Sequence, residues 1–486
     1  MFKELNFVEG KSKYIQIAEH IKELIDEGML IEGSKLPSSR ELSSILGVGR
    51  NTIVEAYEIL ENDELVETIK GKGTFILKRK IELKKDWNVD WDKKINSYGI
   101  KAEELDIVKS ELPWEKGMIS FKSIAPLGEL FDMEEFKRGF LNRIAIEDHK
   151  ILNYGYAKGY KPLLDYLKSY MIAKGVSENN RDMLITNGFT EGLDMLLSSF
   201  AKEGDYILCE NPTHNTALKI MKTHKLNILG VTMKKDGIDL EELKSKIQGK
   251  DIKFAYMIPS YHNPTGVVTS ITKRTEIYNI LKKNNIPIIE DGFNEELLYE
   301  SSHAIPLAAI DGENNGVIYI GSYSKILFPG LRIGWIYGDK RIIEVLESVK
   351  RCRNIHSSFL DQGILYEFLI SGAFEKYIKK VRRVYKEKYE WTKSAIENHI
   401  PKAQVWGEGG LHIFLKIRGI DTRILLEKCY NEGVVFMAGD LFYVHGEIRD
   451  TLRLGFTRLS HEDIEKGVKI IGQQLRLIEG DIYGFK

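Results

Sequence analysis

VIYIGSYSKILFPGLRIG, residues 317–334, is the stretch on which the reading of this chain turns. Val317, Ile318, Tyr319, Ile320 and Gly321 make a short uncharged run with the β-branched character of a strand buried on both faces. The run stops at Ser322, Tyr323, Ser324 and Lys325, so a primary amine is expected just past the end of a buried strand. Pro329, Gly330, Leu331, Arg332 and Gly334 follow, a turn-forming tail that carries one guanidinium.

Outward from this point the same rhythm repeats. Apolar runs stand at 183–186, 206–209, 254–258 and 287–289, and helical periodicity lies between them near 191–201, 213–224 and 272–284. Buried strands alternating with helices predict an α/β domain with a mostly parallel sheet. Beyond residue 340 long helical segments dominate, with strand candidates at 411–417 and 451–456, which predicts a smaller C-terminal α+β lobe. Ligand sites in such sheets form outside the carboxyl ends of the strands. There the chain carries Asn187, Gly188, Phe189 and Thr190 ahead of a helix starting at Glu191, a small-residue turn able to offer backbone N–H groups to a phosphate. By itself that turn is an ordinary strand-to-helix connection. The run at 254–258 leads into Pro259, Ser260, Tyr261, His262, Asn263, Pro264, Thr265 and Gly266, and the run at 287–289 into Glu290, Asp291 and Gly292.

The Asn-Pro-Thr-Gly turn at 263–266, the later Asp291, and Ser-x-Ser-Lys at 322–325 with its Gly-x-Arg-x-Gly tail occur here in the order found in aminotransferases of fold type I, and the chain resembles that superfamily. The resemblance implies pyridoxal 5'-phosphate as cofactor. Lys325 would be the amine that joins its aldehyde as a Schiff base, Asp291 the carboxylate against the pyridine nitrogen, and Asn263 the donor to the ring's 3′ oxygen. Ser322, Ser324 and Arg332, with Gly188, Phe189 and Thr190, match the phosphate cradle. Tyr154, in YGYAKGY, resembles a tyrosine that reaches across a dimer interface to the partner's phosphate, which implies a homodimer. Arg453, in LRLGFT, matches the arginine that grips a substrate or effector carboxylate. Two positions depart from the pattern. His214 stands where relatives stack an aromatic ring on the cofactor, and Phe293 where they commonly carry a tyrosine bonded to the 3′ oxygen. Binding is expected to survive these changes; fast turnover is not.

The first 78 residues read differently. Tyr14, Ile17, Ala18, Ile21, Leu24 and Ile25 form one face of a helix. A short helix follows Ser38, Ser39 and Arg40 and ends at Gly47, and a third opens at Asn51 or Thr52 with Ile53, Ala56, Tyr57 and Leu60 on one face. Two short strands within 65–75 surround Lys70, Gly71, Lys72 and Gly73, as in a hairpin wing. The run LPSSRELSSILGVGRNTIVEAYEILENDELVETIKGKGTFI closely resembles the GntR-type winged helix-turn-helix, and its place ahead of an aminotransferase-like domain resembles the MocR subgroup. This implies double-stranded DNA as a partner. Ser38, Ser39, Arg40, Arg50, Asn51 and Thr52 sit at helix starts suited to phosphates and base edges, and Lys72 at the wing tip suits a minor groove. The head is not basic overall: residues 1–80 hold 12 lysines and arginines against 14 acidic residues. A purely electrostatic DNA binder is therefore excluded.

The predicted domains are a winged head at 1–78, a charged linker at 79–117 that carries Trp87, Trp91 and Trp114, and an aminotransferase-like domain at 118–486, its large lobe 118–340 and its small lobe 341–486. Over all 486 residues, 70 basic side chains almost cancel 71 acidic ones, so no global field points to a membrane surface or polyanion. Cys209, Cys352 and Cys429 are too few and too scattered for a disulfide framework or a metal cluster, and no metal is expected. Nowhere do about 18 apolar residues follow one another, and the N-terminus has no signal-peptide run, so no membrane partner and a cytoplasmic location are expected. The function expected is a DNA-binding transcription regulator that senses pyridoxal phosphate or a small amino effector through an aldimine. The alternative is a working aminotransferase acting on an α-amino acid.

Overall fold

The computed structural model describes residues 2, 5–77, 88–297, 299, 305–446 and 448–483. It divides into two compact units, residues 1–94 and 95–486.

In the first unit, helices Lys13–Asp26, Ser39–Leu46 and Arg50–Asn62 precede the antiparallel strands Val66–Ile69 and Gly73–Ile76. Ile17, Ile21, Leu42, Ile53, Leu60, Val66 and Ile76 form its core; the first and third helices bury the stripes their periodicity announced, whereas the second buries Leu42 and leaves Ile45 exposed. The third helix begins at Arg50, a residue ahead of the sequence expectation, with Gly49 as its cap. Gly47 ends the second helix in the left-handed region (φ 64°), which a residue without Cβ adopts freely.

In the second unit an eight-stranded sheet runs in the order Arg181–Thr186, Gly334–Asp339, Val317–Ser322, Ile288–Asp291, Ile252–Met257, Tyr206–Asn211, Asn227–Lys234, Gly237–Ile238. The central pairs are parallel; Gly334–Asp339 is antiparallel to both of its neighbours, and Gly237–Ile238 is antiparallel at the other edge. All five apolar runs of the sequence lie on this sheet. Helices Phe189–Phe200, Asn215–Thr223 and Ile271–Lys283 coincide with the expected helical stretches. Three strands of this sheet were not anticipated, the two-residue Gly237–Ile238 among them. Gly334–Asp339 contains two glycines and follows a turn motif, and Asn227–Lys234 mixes buried with open positions without a continuous apolar run.

Helix Ala373–His399 leads to a second sheet, Gln404–Trp406, His412–Lys416, Thr451–Gly455 and Met437–Ala438, all antiparallel. Ile119–Ser120 pair in parallel with Val434–Val435, and Phe121 is buried in the core of this lobe. Within 79–117, residues 79–87, Trp87 among them, lie outside the described residues. Helices Ser97–Glu104 and Ile107–Ser110 belong to the second unit, where Arg423 Nη1 donates to both oxygens of Glu111 at 2.7 Å. Trp91 and Trp114 are exposed. Among the described residues no helix is long and apolar enough to cross a membrane.

Candidate functional site

The chemistry-bearing residues converge because four strands end on the same side of the large sheet. Arg181–Thr186 delivers Gly188, Phe189 and Thr190; Ile252–Met257 delivers Asn263; Ile288–Asp291 ends on Asp291; Val317–Ser322 ends on Ser322, with Ser324 and Lys325 next. Gly334 pairs with Thr186, and a Cβ on Gly334 would come within 2.9 Å of Gly188 Cα. Glycine is thus required where the lysine loop crosses the phosphate-type turn. Gly188 itself has φ 88°, and a Cβ there would meet the Arg332 guanidinium at 3.1 Å. Arg332 Nη2 donates to the Asn187 carbonyl at 2.7 Å, so the guanidinium is held beside the start of helix Phe189–Phe200. Ser322 Oγ accepts from the Ser324 N–H at 3.2 Å, and Thr190 is exposed at the helix start.

Lys325 is partly buried, and burial pushes its amine down to about 8, helped by the charges of Arg453, Arg458 and Arg332. An amine lowered in this way carries more of the neutral form near physiological pH than an ordinary lysine, which is what a carbonyl-attacking lysine needs. Asp291 is buried, and burial pushes its carboxyl up to about 7 while the hydroxyl of Tyr256, donating to Oδ2 at 2.7 Å, pulls the other way. Asn263 Oδ1 accepts from Arg453 Nη1 at 2.9 Å. Arg453 also donates from Nη2 to the Lys122 carbonyl at 3.1 Å and lies 4.9 Å over the Phe442 ring.

His214 caps helix Asn215–Thr223, and its ring centroid lies 5.5 Å from that of Phe189. Burial, followed by the charges of Lys325 and Arg453, pushes it down to about 3, so it presents a neutral aromatic ring at physiological pH. Phe293 packs among core residues and brings no hydroxyl. Tyr154 stands apart: it is 84% exposed and meets the His356 ring edge-on at 6.1 Å.

Pyridoxal phosphate fits this set. Asn263 Nδ2 and Ser324 Oγ are buried with no hydrogen-bond partner in the protein, a costly state that a ring oxygen and a phosphate would relieve. Sequence reasoning missed Tyr256, because a tyrosine inside a buried strand looks like core until a partner for its hydroxyl is known. It also missed Glu191, which accepts from the Asn187 N–H at 2.5 Å and Asn354 Nδ2 at 2.5 Å and so braces the turn beneath Arg332.

In the first unit, Ser38 and Glu41 form a reciprocal capping box. Ser38 Oγ accepts from Glu41 N–H at 3.3 Å, and Glu41 Oε2 accepts from Ser38 N–H at 2.7 Å. Arg50 Nε donates to Ser39 Oγ at 3.1 Å, tying the starts of the second and third helices together. Ser38, Arg40, Arg50, Asn51 and Lys72 are exposed; Ser39 and Thr52 are half-buried. Lys78, Arg79 and Lys80 lie outside the described residues.

Comparison with known proteins agrees with both halves. Residues 121–471 match the family model "Aminotransferase class I and II", and residues 13–76 match "Bacterial regulatory proteins, gntR family". The uncharacterized HTH-type transcriptional regulator YdfD of Bacillus subtilis is 30% identical over 470 residues, 96% of this chain and 96% of the relative. Among solved structures, the multiple substrate aminotransferase of Thermococcus profundus superposes with a TM-score of 0.76 at 26% identity, covering 81% of this chain and 100% of that one. LysN, the alpha-aminoadipate aminotransferase of Thermus thermophilus, complexed with N-(5'-phosphopyridoxyl)-L-leucine, gives 0.74 at 28% identity over 81% and 100%. The chain belongs to the class I and II aminotransferase family and carries a GntR-family DNA-binding head, the pairing that defines the MocR-type regulators, with pyridoxal phosphate as its cofactor.

Proposed function

We propose that the state of the Lys325 site, set by pyridoxal phosphate or by an amino compound that reacts there, changes how two winged heads engage a two-part DNA operator. The observation that supports this most is the presence in one chain of Lys325, Asp291 and Asn263 beside a phosphate-type turn and of a winged head with Arg40, Arg50 and Asn51 open to solvent.

When bound, pyridoxal phosphate supplies an electrophilic aldehyde and an electron-accepting ring. Lys325 offers the amine, Asp291 a carboxylate to the ring nitrogen, and Asn263 a donor to the ring oxygen. Ser322, Ser324 and Arg332, with the N–H groups around Gly188, Phe189 and Thr190, receive the phosphate. His214 and Phe189, whose ring centroids lie 5.5 Å apart, would offer the ring an apolar aromatic surface, and Arg453 would orient the carboxylate of the amino effector. In the head, Ser38, Ser39, Arg40, Arg50, Asn51, Thr52 and Lys72 contact DNA. The active form is a homodimer in which Tyr154 serves the partner's phosphate; its near-complete exposure in the single chain supports that role.

Footprinting on DNA upstream of the chain's own gene and its neighbours, with and without pyridoxal phosphate, tests the reading. The expected outcome is a protected two-part site whose occupancy changes with the cofactor. Absence of a specific site under every condition would remove the proposal. The second reading, an aminotransferase, is favoured by the retained Arg453. It predicts rapid conversion of the bound cofactor to pyridoxamine phosphate by common α-amino acids in single-turnover absorbance measurements.

A further inference from the structure

Beneath the cofactor-facing residues lies a buried side chain that the roles above leave unused. Tyr256 has no exposed surface and lies on strand Ile252–Met257, opposite Ile289 of the parallel strand Ile288–Asp291. Side chains two residues apart on a strand share a face, so Tyr256 and Asp291 point to the same side of the sheet, one diagonal step apart. The length of the phenol spans that step, and its hydroxyl meets Asp291 Oδ2 at 2.7 Å.

We infer that Tyr256 is a positioning residue for the cofactor: by occupying Oδ2, its hydroxyl holds the Asp291 carboxylate in the one orientation that serves the ring nitrogen. The inference rests on the assignment of pyridoxal phosphate to the Lys325 site. Orientation is set from below, since the ring of Tyr256 is packed against Phe189 at 6.1 Å between centroids. The charged or titratable groups that act on Asp291 are Tyr256, Glu210 and Glu295, joined by the Phe293 backbone N–H. Both acidic neighbours favour a protonated Asp291; the phenol and the N–H favour the carboxylate. Glu210 is itself fixed, accepting from the Ile258 N–H at 2.9 Å. The phenol's own proton is held firmly, because burial raises Tyr256 well above the ordinary tyrosine range. It therefore stays a donor at every physiological pH.

The test is equilibrium binding of pyridoxal phosphate to the full-length chain from weakly acidic to weakly alkaline pH. A carboxylate that must be ionised to hold a protonated ring loses affinity as pH falls through its own titration. Tyr256→Phe is expected to weaken binding about tenfold at neutral pH, the worth of one hydrogen bond to a charged group, and to move the acid-side loss of affinity upward by about one pH unit. Tyr278→Phe is the control: it removes a buried phenol whose hydroxyl donates to Asp311 Oδ1 at 3.0 Å instead, and it should move neither quantity. In an Asp291→Asn background, Tyr256→Phe should add almost nothing. Unchanged affinity and midpoint in Tyr256→Phe, equal shifts in the two phenylalanine variants, or additivity with Asp291→Asn would each overturn the inference. Failure of the unsubstituted chain to bind pyridoxal phosphate at all would instead overturn the cofactor assignment, and this inference with it.

Discussion

Arg453 Nη1 donates to Asn263 Oδ1 at 2.9 Å, although the two residues are 190 positions apart in the chain. The bond joins the arginine proposed to hold an effector carboxylate to the asparagine proposed to donate to the ring oxygen. It also settles which end of the amide is free. With Oδ1 engaged, Nδ2 is the end left without a partner, and it is a donor. Substitution of either residue should disturb both ligands.

Arg453→Lys keeps a positive charge but loses the planar fork and the bond to Asn263. Amino-acid affinity, followed by the absorbance change of the bound cofactor, should fall by about tenfold or more, with a smaller loss of pyridoxal phosphate affinity. Unchanged amino-acid affinity would show that the effector carboxylate lies elsewhere.

Lys325→Ala should abolish the visible absorbance of the tethered cofactor and make it removable by dialysis; a persistent band would identify a different lysine. Lys325→Met carries a separate prediction for the cofactor-free protein. The amine is pushed down to about 8 in the folded chain from an ordinary 10.5, so its charge opposes folding. That penalty is fully present below pH 8 and fades as pH rises towards 10.5, because only there does the unfolded chain bind the extra proton. Lys325→Met should therefore raise stability at neutral pH by about 1–3 kcal/mol, after allowance for partial exposure, with the gain shrinking in alkali. Denaturant titrations at several pH values measure it.

Asp291→Asn should act with the opposite pH sense. The folded carboxyl is raised to about 7 from 3.8, so its ionisation opposes folding above pH 7 and costs nothing below about pH 4. The cofactor-free variant should be more stable than the parent at pH 8 and equal to it in acid. Its hold on pyridoxal phosphate should nevertheless weaken, since an amide cannot balance a protonated ring nitrogen. Equal stability at both pH values would contradict the burial of this carboxyl.

Ser38→Ala probes folding together with DNA contact in the head, and Arg50→Ala probes DNA contact alone. Loss of the capping box should destabilise the head by about 1 kcal/mol. Arg50 is exposed, and its substitution should leave the melting temperature nearly unchanged while weakening DNA binding and lowering its salt dependence. Anisotropy titrations at several salt concentrations would show this. An Arg50→Ala chain that binds DNA like its parent would remove this helix start from the interface.

Much of the architecture was legible because it is written in local pattern. The strand run at 317–321 and the helical stripe at Ile53, Ala56, Tyr57 and Leu60 follow from period alone, and both are buried as the pattern requires. Strand Gly334–Asp339 escaped notice because its first glycine reads as the end of a turn motif. In the fold, that glycine is the contact point of two loops. The residues proposed to face the cofactor were legible as motifs, yet nothing local in the chain distinguishes Tyr256 from the core tyrosines around it.

The sequence alone determined the two-part organisation, the alternation of five buried strands with helices, and the residue types that suit pyridoxal phosphate and DNA. These depend on periodicity, on turn chemistry and on motifs confined to a few neighbouring positions. Tertiary structure decided what those groups do to one another. It paired Arg453 with Asn263, set Tyr256 against Asp291, braced Asn187 on Glu191, and surrounded Lys325 with three arginines. Proton affinity and donor direction depend on burial and on partners brought from distant strands, and only the closed fold supplies both.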